Sequence, residues 1–354
     1  MKNIVEVFKN KKVLVTGHTG FKGSWLCKLL LKLGSKVSGI SLEADKISLY
    51  NLIKLDNEMD SYIRDIRKLE NIENIIKEIN PNIIFHLAAQ PLVIESYNNP
   101  LYTFETNIMG TVNILEVIRK LNNLECAVMI TTDKVYDNKE WAWGYRENDS
   151  LGGADPYSSS KACSELIIKS YKKSFLNDLN IATARAGNVI GGGDFAKDRI
   201  IPDIVRSIEN NKSVELRNPK SVRPWQHVLD VLHGYLLLAY NLIKNNKNIS
   251  YAKDGDLPSY NFAPTDNKRT VEYITKVFIE NIGKGSYKIK TKDTNKKEMN
   301  ILRLDSSLAR KELLWEEKFN TEEAIKQTAL WYKEYLEDKD ITDKQINEYI
   351  EGLI

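Results

Sequence analysis

The stretch Val13-Leu14-Val15-Thr16-Gly17-His18-Thr19-Gly20-Phe21-Lys22-Gly23 leads from a short apolar run, through three glycines, into residues at helical spacing. Its reading decides the fold. Glycines so placed permit a tight turn, close approach of backbone N–H groups to a pyrophosphate and close helix–strand packing, while the helix N-terminus favours an anion. A glycine trio alone is a weak signal, since a structural turn needs the same residues. Between a strand and a helix it predicts a nucleotide-binding loop, with Gly17, Thr19, Gly20, Phe21, Lys22 and Gly23 as candidate contacts.

On either side of the loop the pattern repeats. Strand-like runs at 13–16, 36–42, 62–64, 83–88, 127–132 and 181–186 alternate with helical patterns such as Trp25, Leu26, Leu29, Leu30 and Leu33, closed by Gly34. Such β-α alternation predicts an α/β fold: a doubly wound, parallel Rossmann-type sheet with helices on both faces. Asn99-Pro100 and Asp155-Pro156 each pair a capping side chain with proline at the first helical position. Beyond Gly187 the pattern loosens into a smaller, partly interleaved lobe. The expected division is a dinucleotide-binding domain over 1–187 with about 228–250, a substrate lobe over 188–227 and 251–340, and a charged peripheral tail over 341–354.

Composition excludes several classes. The 354 residues are 42% hydrophobic with only 9 Pro, as in a globular chain. The 51 basic and 48 acidic residues are interspersed, so no stripe suits a nucleic-acid backbone. The 3 cysteines are odd in number, widely spaced and set among apolar residues, which reads as reduced thiols in a cytoplasm. The start of the chain shows no signal-peptide core, and the longest apolar run, Tyr235 to Tyr240, is far short of a membrane span. A soluble cytoplasmic protein is expected. With 4 histidines and no cysteine cluster, no metal site is expected.

The chemistry concentrates in Thr131-Thr132-Asp133-Lys134-Val135-Tyr136 and Tyr157-Ser158-Ser159-Ser160-Lys161. One strand end and the following helix thus carry hydroxyl, carboxylate, amine and phenol groups. The helix start at Pro156 puts Tyr157 and Lys161 on one face, a turn apart. A tyrosine near 10 is a poor base at neutral pH, and bringing it there takes about 4 kcal/mol. A cation about 4 Å away, at an effective dielectric near 20, supplies roughly that. Tyr-x-x-x-Lys alone is commonplace on helices, but after a glycine loop and this strand end it points to proton transfer coupled to hydride transfer.

The spacing Gly17-x-x-Gly20-x-x-Gly23, with Tyr157 and Lys161, resembles the extended short-chain dehydrogenase/reductases. Trp141-Ala142-Trp143-Gly144-Tyr145-Arg146-Glu147, the segments 16–26, 86–93, 185–194 and 223–227, and Asp133-Lys134 in place of Asp-Glu resemble the nucleotide-sugar 4,6-dehydratases of that family, in the branch acting on CDP-glucose. The likeness runs over nearly the whole chain. It implies tightly bound NAD regenerated in each turnover, CDP-glucose as substrate, a place in deoxysugar and surface-polysaccharide synthesis, and a homodimer formed through the helices beginning at Pro100 and Pro156.

The resemblance also assigns residues. Thr132, Tyr157 and Lys161 are implied for oxidation of the sugar, and Asp133 and Lys134 for loss of water, with Lys134 as base at C5 and Asp133 as acid, or the reverse. Asp65 and Ile66 are implied at the adenine, Ala88, Ala89 and Gln90 beside the cofactor, and Asn107 as a support. The acid that usually ends the second strand is replaced by Ser41, with Glu43 two residues on, which leaves NAD against NADP open; the lack of an arginine after that strand favours NAD. Asn188, Arg199, Arg217, Arg223 and His227 are the candidates for the nucleotide diphosphate, guanidinium forks being suited to phosphate. His227 reads equally well as a packed core histidine. A C-terminal arginine expected before Asp305 is missing, with Glu298 and Arg303 nearby. The alternatives are a dehydratase or epimerase of another nucleotide sugar and a non-catalytic dinucleotide sensor.

Overall fold

The computed structural model describes residues 2–244, 249, 256–266, 268–290 and 301–353. Strands β1 (Lys12–Thr16), β2 (Lys36–Ser41), β3 (Asp60–Ile63), β4 (Ile83–His86), β5 (Cys126–Ile130) and β6 (Asn180–Ala186) follow the apolar runs. The later strands are β7 (Val189–Ile190), β8 (Val214–Leu216), β9 (Gln226–His227), β10 (Ser259–Phe262) and β11 (Tyr287–Ile289). The main sheet has the order β10-β6-β5-β4-β1-β2-β3, with every pairing parallel. The order reverses between β1 and β4, where a crevice opens beyond the strand ends.

The early helices are α1 (Lys2–Phe8), α2 (Phe21–Lys32), α3 (Leu49–Leu52), α4 (Leu69–Ile79), α5 (Val93–Asn98), α6 (Pro100–Phe104), α7 (Gly110–Ile118) and α8 (Pro156–Ser174). They are followed by α9 (Ile200–Glu209), α10 (Val228–Ile243), α11 (Val271–Ile282), α12 (Ser307–Leu313), α13 (Thr321–Tyr335) and α14 (Thr342–Glu351). None is long and apolar enough to cross a membrane, among the described residues.

Alternation along the strands fills both faces of the sheet. Val13, Val15, Phe85 and Val128 pack with Trp25 and Leu29 of α2 and with Val231 and Leu238 of α10. Leu14, Ile84, Ala127 and Met129 pack with Ile72 and Ile76 of α4, Ile114 and Leu115 of α7 and Ile168 of α8. The sheet is therefore buried on both sides, which explains the near-continuous apolar strands.

Three expectations are corrected. The expected lobe over 188–227 and 251–340 shares its packing with the first domain, since Ile204 of α9, Phe278 of α11 and Trp331 of α13 belong to the cluster under β1. Its segment also supplies β10, the edge strand beside β6. The tail after 340 is not peripheral: Ile346 and Tyr349 of α14 are buried, and the Tyr349 hydroxyl donates to Asp230 Oδ1 at 2.7 Å. Lys344, Glu348 and Glu351 lie on the outer face of α14, while Asp343 turns in to Lys28 and Lys32 of α2, so charge density concealed an amphipathic helix. Finally, Asp155 caps α8 by accepting from Ser158 N at 2.9 Å, but Asn99 does not cap α6; its amide donates to Glu95 instead.

Candidate active site

The end of β1 is tied to β4 at the crevice. Thr16 Oγ1 lies 2.7 Å from His86 Nδ1 and accepts from Ala88 N at 3.1 Å. Gly17 turns the chain with φ +77°, and a Cβ there would sit 2.8 Å from Ala88 N. A Cβ on Gly23 would lie 2.0 Å from the Gly17 carbonyl oxygen, so α2 approaches the turn as closely as only glycine allows. Gly20 starts α2 with no side-chain cap, which leaves first-turn N–H groups for an anion. On these observations the loop fits a dinucleotide pyrophosphate.

Thr19 Oγ1 meets Ser41 Oγ at 2.7 Å and donates to the Leu42 carbonyl at 3.0 Å, closing the end of β2 where an acid would stand. Glu43 is exposed just beyond. His18 turns away from the crevice: its Nε2 lies 2.7 Å from Ser61 Oγ, and burial holds it at about 4, hence neutral. Arg67 grips Asp65 with Nε and Nη2 at 2.9 and 2.6 Å, and Ile66 is buried beneath Gly110. Ala88 and Ala89 follow β4 directly. Asn107 sits in a π-helical turn, Glu105–Met109, between α6 and α7. Its amide accepts from Gln90 N at 2.8 Å and donates to Ser160 Oγ at 2.8 Å, joining the loop after β4 to α8.

Beyond β5, Thr132 caps a single 3-10 turn, Asp133–Val135. The Thr132 hydroxyl donates to Asp133 Oδ1 at 2.9 Å, and Lys134 Nζ stands 3.6 Å from the same oxygen. Asp133 is 1% exposed and its Oδ2 has no hydrogen-bond partner, whereas the Lys134 side chain is 24% exposed. The structure thus brings Thr132, Asp133, Tyr157 and Lys161 together, with Lys134 at the mouth. Burial pushes Tyr157 up to about 12, with the Thr132 hydroxyl pulling the other way. Lys161 is lowered to about 8 by burial, against the attraction of Glu165, and its Nζ donates to the Ile130 carbonyl at 3.0 Å. Lys22 Nζ reaches 3.5 Å from the Tyr235 hydroxyl; burial lowers it to about 7, helped by Arg199 and Lys161 and opposed by Asp133.

Sequence reasoning missed the carboxylate that holds these parts in register. Glu165, one turn beyond Lys161, accepts from Thr131 Oγ1 at 2.5 Å, from Thr183 Oγ1 at 2.9 Å and from Arg185 Nε and Nη2 at 2.9 and 3.0 Å. Arg185 Nη1 continues to the Tyr136 hydroxyl at 2.8 Å. The available signal was a lone arginine in the otherwise uncharged β6.

The diphosphate candidates separate. Arg199 precedes α9, donates to Asp194 Oδ2 at 2.8 Å and is close enough to Tyr157 to interact electrostatically. Arg217 pairs with Asp198 at 3.1 Å on the surface, and Arg223 Nη1 donates to the Val222 carbonyl at 2.9 Å. The Asn188 carbonyl accepts from Gln226 N at 3.0 Å, joining β7 to β9. His227 does not face the crevice. It is fully buried, edge-on to Trp25 and Phe319, and its Nδ1 caps α10 at Leu229 N. Arg303 Nη1 donates to the Ala142 carbonyl at 2.9 Å, while Glu298 lies outside the described residues.

A glycine loop at the switch point of a doubly wound sheet, with Thr132, Tyr157 and Lys161 beside it, defines the extended short-chain dehydrogenase/reductase class. Residues 14–328 match the family model described as GDP-mannose 4,6 dehydratase, and the chain belongs to that family. It is 43% identical over 97% of its length to CDP-glucose 4,6-dehydratase of Salmonella typhimurium, covering 97% of that protein. Over 68% of its length it is 29% identical to dTDP-D-glucose 4,6-dehydratase of Dictyostelium discoideum, covering 58% of it. In fold it resembles dTDP-glucose 4,6-dehydratase of Bacillus anthracis in complex with NAD, with a TM-score of 0.77, 24% identity and coverage of 92% of this chain and 97% of that one. It also resembles epimerase Mth375 of Methanothermobacter thermautotrophicus, with a TM-score of 0.80, 21% identity and 97% of each chain covered.

Proposed function

We propose that this protein is an NAD-dependent hydro-lyase that converts CDP-glucose to CDP-4-keto-6-deoxyglucose, as a step in deoxysugar synthesis for surface polysaccharides. The observation that carries the reading is the buried Asp133 carboxylate with one oxygen unpartnered, beside Lys134 and contiguous with Thr132. An epimerase that only removes and returns a hydride has no use for that pair. The likeness to the Salmonella dehydratase points to the CDP-sugar. Backbone N–H groups from Gly20 to Gly23 would hold the dinucleotide diphosphate, Asp65 and Ile66 would flank the adenine, and Glu43 would be the acid available to the ribose. No arginine follows β2 to meet a 2′-phosphate, which favours NAD.

Bound there, the dinucleotide would supply a positively charged, reversible hydride carrier for the oxidation at C4 and the reduction at C6. Tyr157 accepts the O4 proton as C4 is oxidised. From about 12, its descent to neutrality needs roughly 7 kcal/mol, about what two cations supply at 4 Å and an effective dielectric of 20. Arg199, which acts electrostatically on Tyr157, supplies part of this, and Lys161 one turn along α8 is the proposed second cation. The ketone acidifies the C5 hydrogen, which the amine of Lys134 removes. Asp133 serves as the acid that delivers a proton to the C6 hydroxyl, which leaves as water. After hydride addition at C6, Lys134 returns the proton to C5, and the proton held by Tyr157 restores Asp133.

Leu101 on α6 and Leu166 on α8 are 71% and 56% exposed, which supports a homodimer formed through these helices. Free Cys27, Cys126 and Cys163 accord with work in a reducing cytoplasm.

The test is incubation with NAD and, in turn, CDP-, UDP-, GDP- and dTDP-glucose, reading the alkali-induced 4-keto chromophore. Product from CDP-glucose is expected. Product only from another sugar nucleotide overturns the substrate, and C4 inversion without the chromophore overturns the dehydration.

A further inference from the structure

The turn that carries Asp133 and Lys134 is weakly held by its own bonds. Val135 N reaches the Thr132 carbonyl, and Lys134 N the Thr132 hydroxyl, only at 3.4 Å, beyond the ordinary range of a hydrogen bond. Its place is therefore set from its flanks. Upstream, Thr131 Oγ1 donates to Glu165 Oε1 on α8. Downstream stands Tyr136, fully buried in a small apolar cluster with Val135, Tyr145, Ala162, Leu302 and Leu304. Its hydroxyl accepts from Arg185 Nη1 at 2.8 Å and donates to Asn261 Oδ1 at 2.7 Å. Asn261, on β10, donates in turn through Nδ2 to the carbonyls of Tyr145 and Asp305 at 2.9 and 3.2 Å. One phenol thus ties the far end of the turn to β6 and to the edge strand of the sheet. Tyr157 and Lys161 do not depend on it, since Asp155 caps their helix and Lys161 Nζ donates to the Ile130 carbonyl.

We infer that Tyr136 is a positioning residue for the loss of water, its hydroxyl fixing the turn so that Asp133 and Lys134 stand in register with C6 and C5 of the sugar. The inference rests on the dehydratase reading of this site. Tyr136 takes no proton itself, because Arg185 and Asn261 occupy its hydroxyl from both sides. It acts along the chain: two residues separate it from Lys134, at most about 7 Å of backbone, so a shift of the phenol passes directly to the amine. A displacement of about 1 Å can cost a reaction on the order of 100-fold. Loosening the turn therefore slows proton transfer at C5 and C6 while oxidation at C4, served by Tyr157, proceeds.

The experiment follows single turnovers of CDP-glucose on the NAD-loaded enzyme by the absorbance of the reduced nicotinamide, together with C5–deuterium exchange from solvent, in wild type, Tyr136→Phe and Tyr349→Phe. In Tyr136→Phe the reduced nicotinamide should form within about twofold of the wild-type rate and decay about 10- to 100-fold more slowly, with C5 exchange slowed alike. Tyr349→Phe removes another buried phenol hydrogen bond, to Asp230, and should leave both phases at wild-type rates, which separates positioning from lost stability. Equal slowing of both phases in Tyr136→Phe, no change in either, or the same lag in Tyr349→Phe overturns the inference. Should Tyr136→Phe not fold, Asn261→Ser, which removes the acceptor of the phenol's proton, decides it by the same two phases. Wild type that forms no 4-keto product from any sugar nucleotide counts against the dehydratase reading itself, so the two failures are distinguishable.

Discussion

The Thr132 hydroxyl donates to Asp133 Oδ1 at 2.9 Å, and this bond orients a buried carboxylate whose second oxygen is left without a partner. A buried acceptor in that state costs about 1–3 kcal/mol, and the proposed reaction accounts for it, because a protonated Asp133 would present a donor to the departing C6 oxygen.

Division of labour between Asp133 and Lys134 is separable by isotope exchange. Asp133→Asn should lower turnover about 100-fold or more while C5–deuterium exchange from solvent persists. Lys134→Met should abolish the exchange. The reverse pattern exchanges their roles.

Lys161 should move activity and stability in opposite directions with pH. Its folded value, about 8, lies below the usual 10.5, so the unfolded chain holds more protons between those values and stability rises with pH across that window. Turnover should fall through the same window as the ammonium that favours ionised Tyr157 is lost. Urea midpoints and single-turnover rates from pH 7 to 10 check both signs; parallel declines would refute the assignment.

The Glu165–Arg185 pair is almost wholly buried, at 2% and 4% side-chain exposure. Arg185→Met strands the carboxylate and should destabilise the fold by about 3–5 kcal/mol. Glu165→Gln combined with Arg185→Met should cost clearly less than the sum of the single changes, as coupled partners do. Additive losses in chemical denaturation would show the pair to be uncoupled.

The C-terminal helix should be required for stability. Tyr349→Phe removes a hydrogen bond to the Asp230 carboxylate, itself raised to about 6 by burial, and should cost about 1.5–3 kcal/mol. Truncation after Asp340 should cost more, by uncovering Trp331 and Phe319. An unchanged urea midpoint in the truncated chain would return α14 to the status of a tail.

The glycine loop, the six alternating strands and the Tyr157–Lys161 face could be read from residue order because each is local. A tight turn, a short apolar run and a separation of four residues all act within a few positions. Tertiary structure alone decided what depends on distant partners. Glu165 on α8 acquires its meaning from Thr131 just after β5 and from Thr183 and Arg185 on β6. His227 proved a buried cap rather than a ligand contact, since the orientation of a side chain beside Trp225 is set by Trp25 and Phe319. Charge along α14 gave no hint that Tyr349 would meet Asp230, 119 positions away. Asp133 and Lys134 lie between the two cases: their order marks the chemistry, whereas the burial of one and the exposure of the other, which determine how their protons are held, come from packing across the crevice.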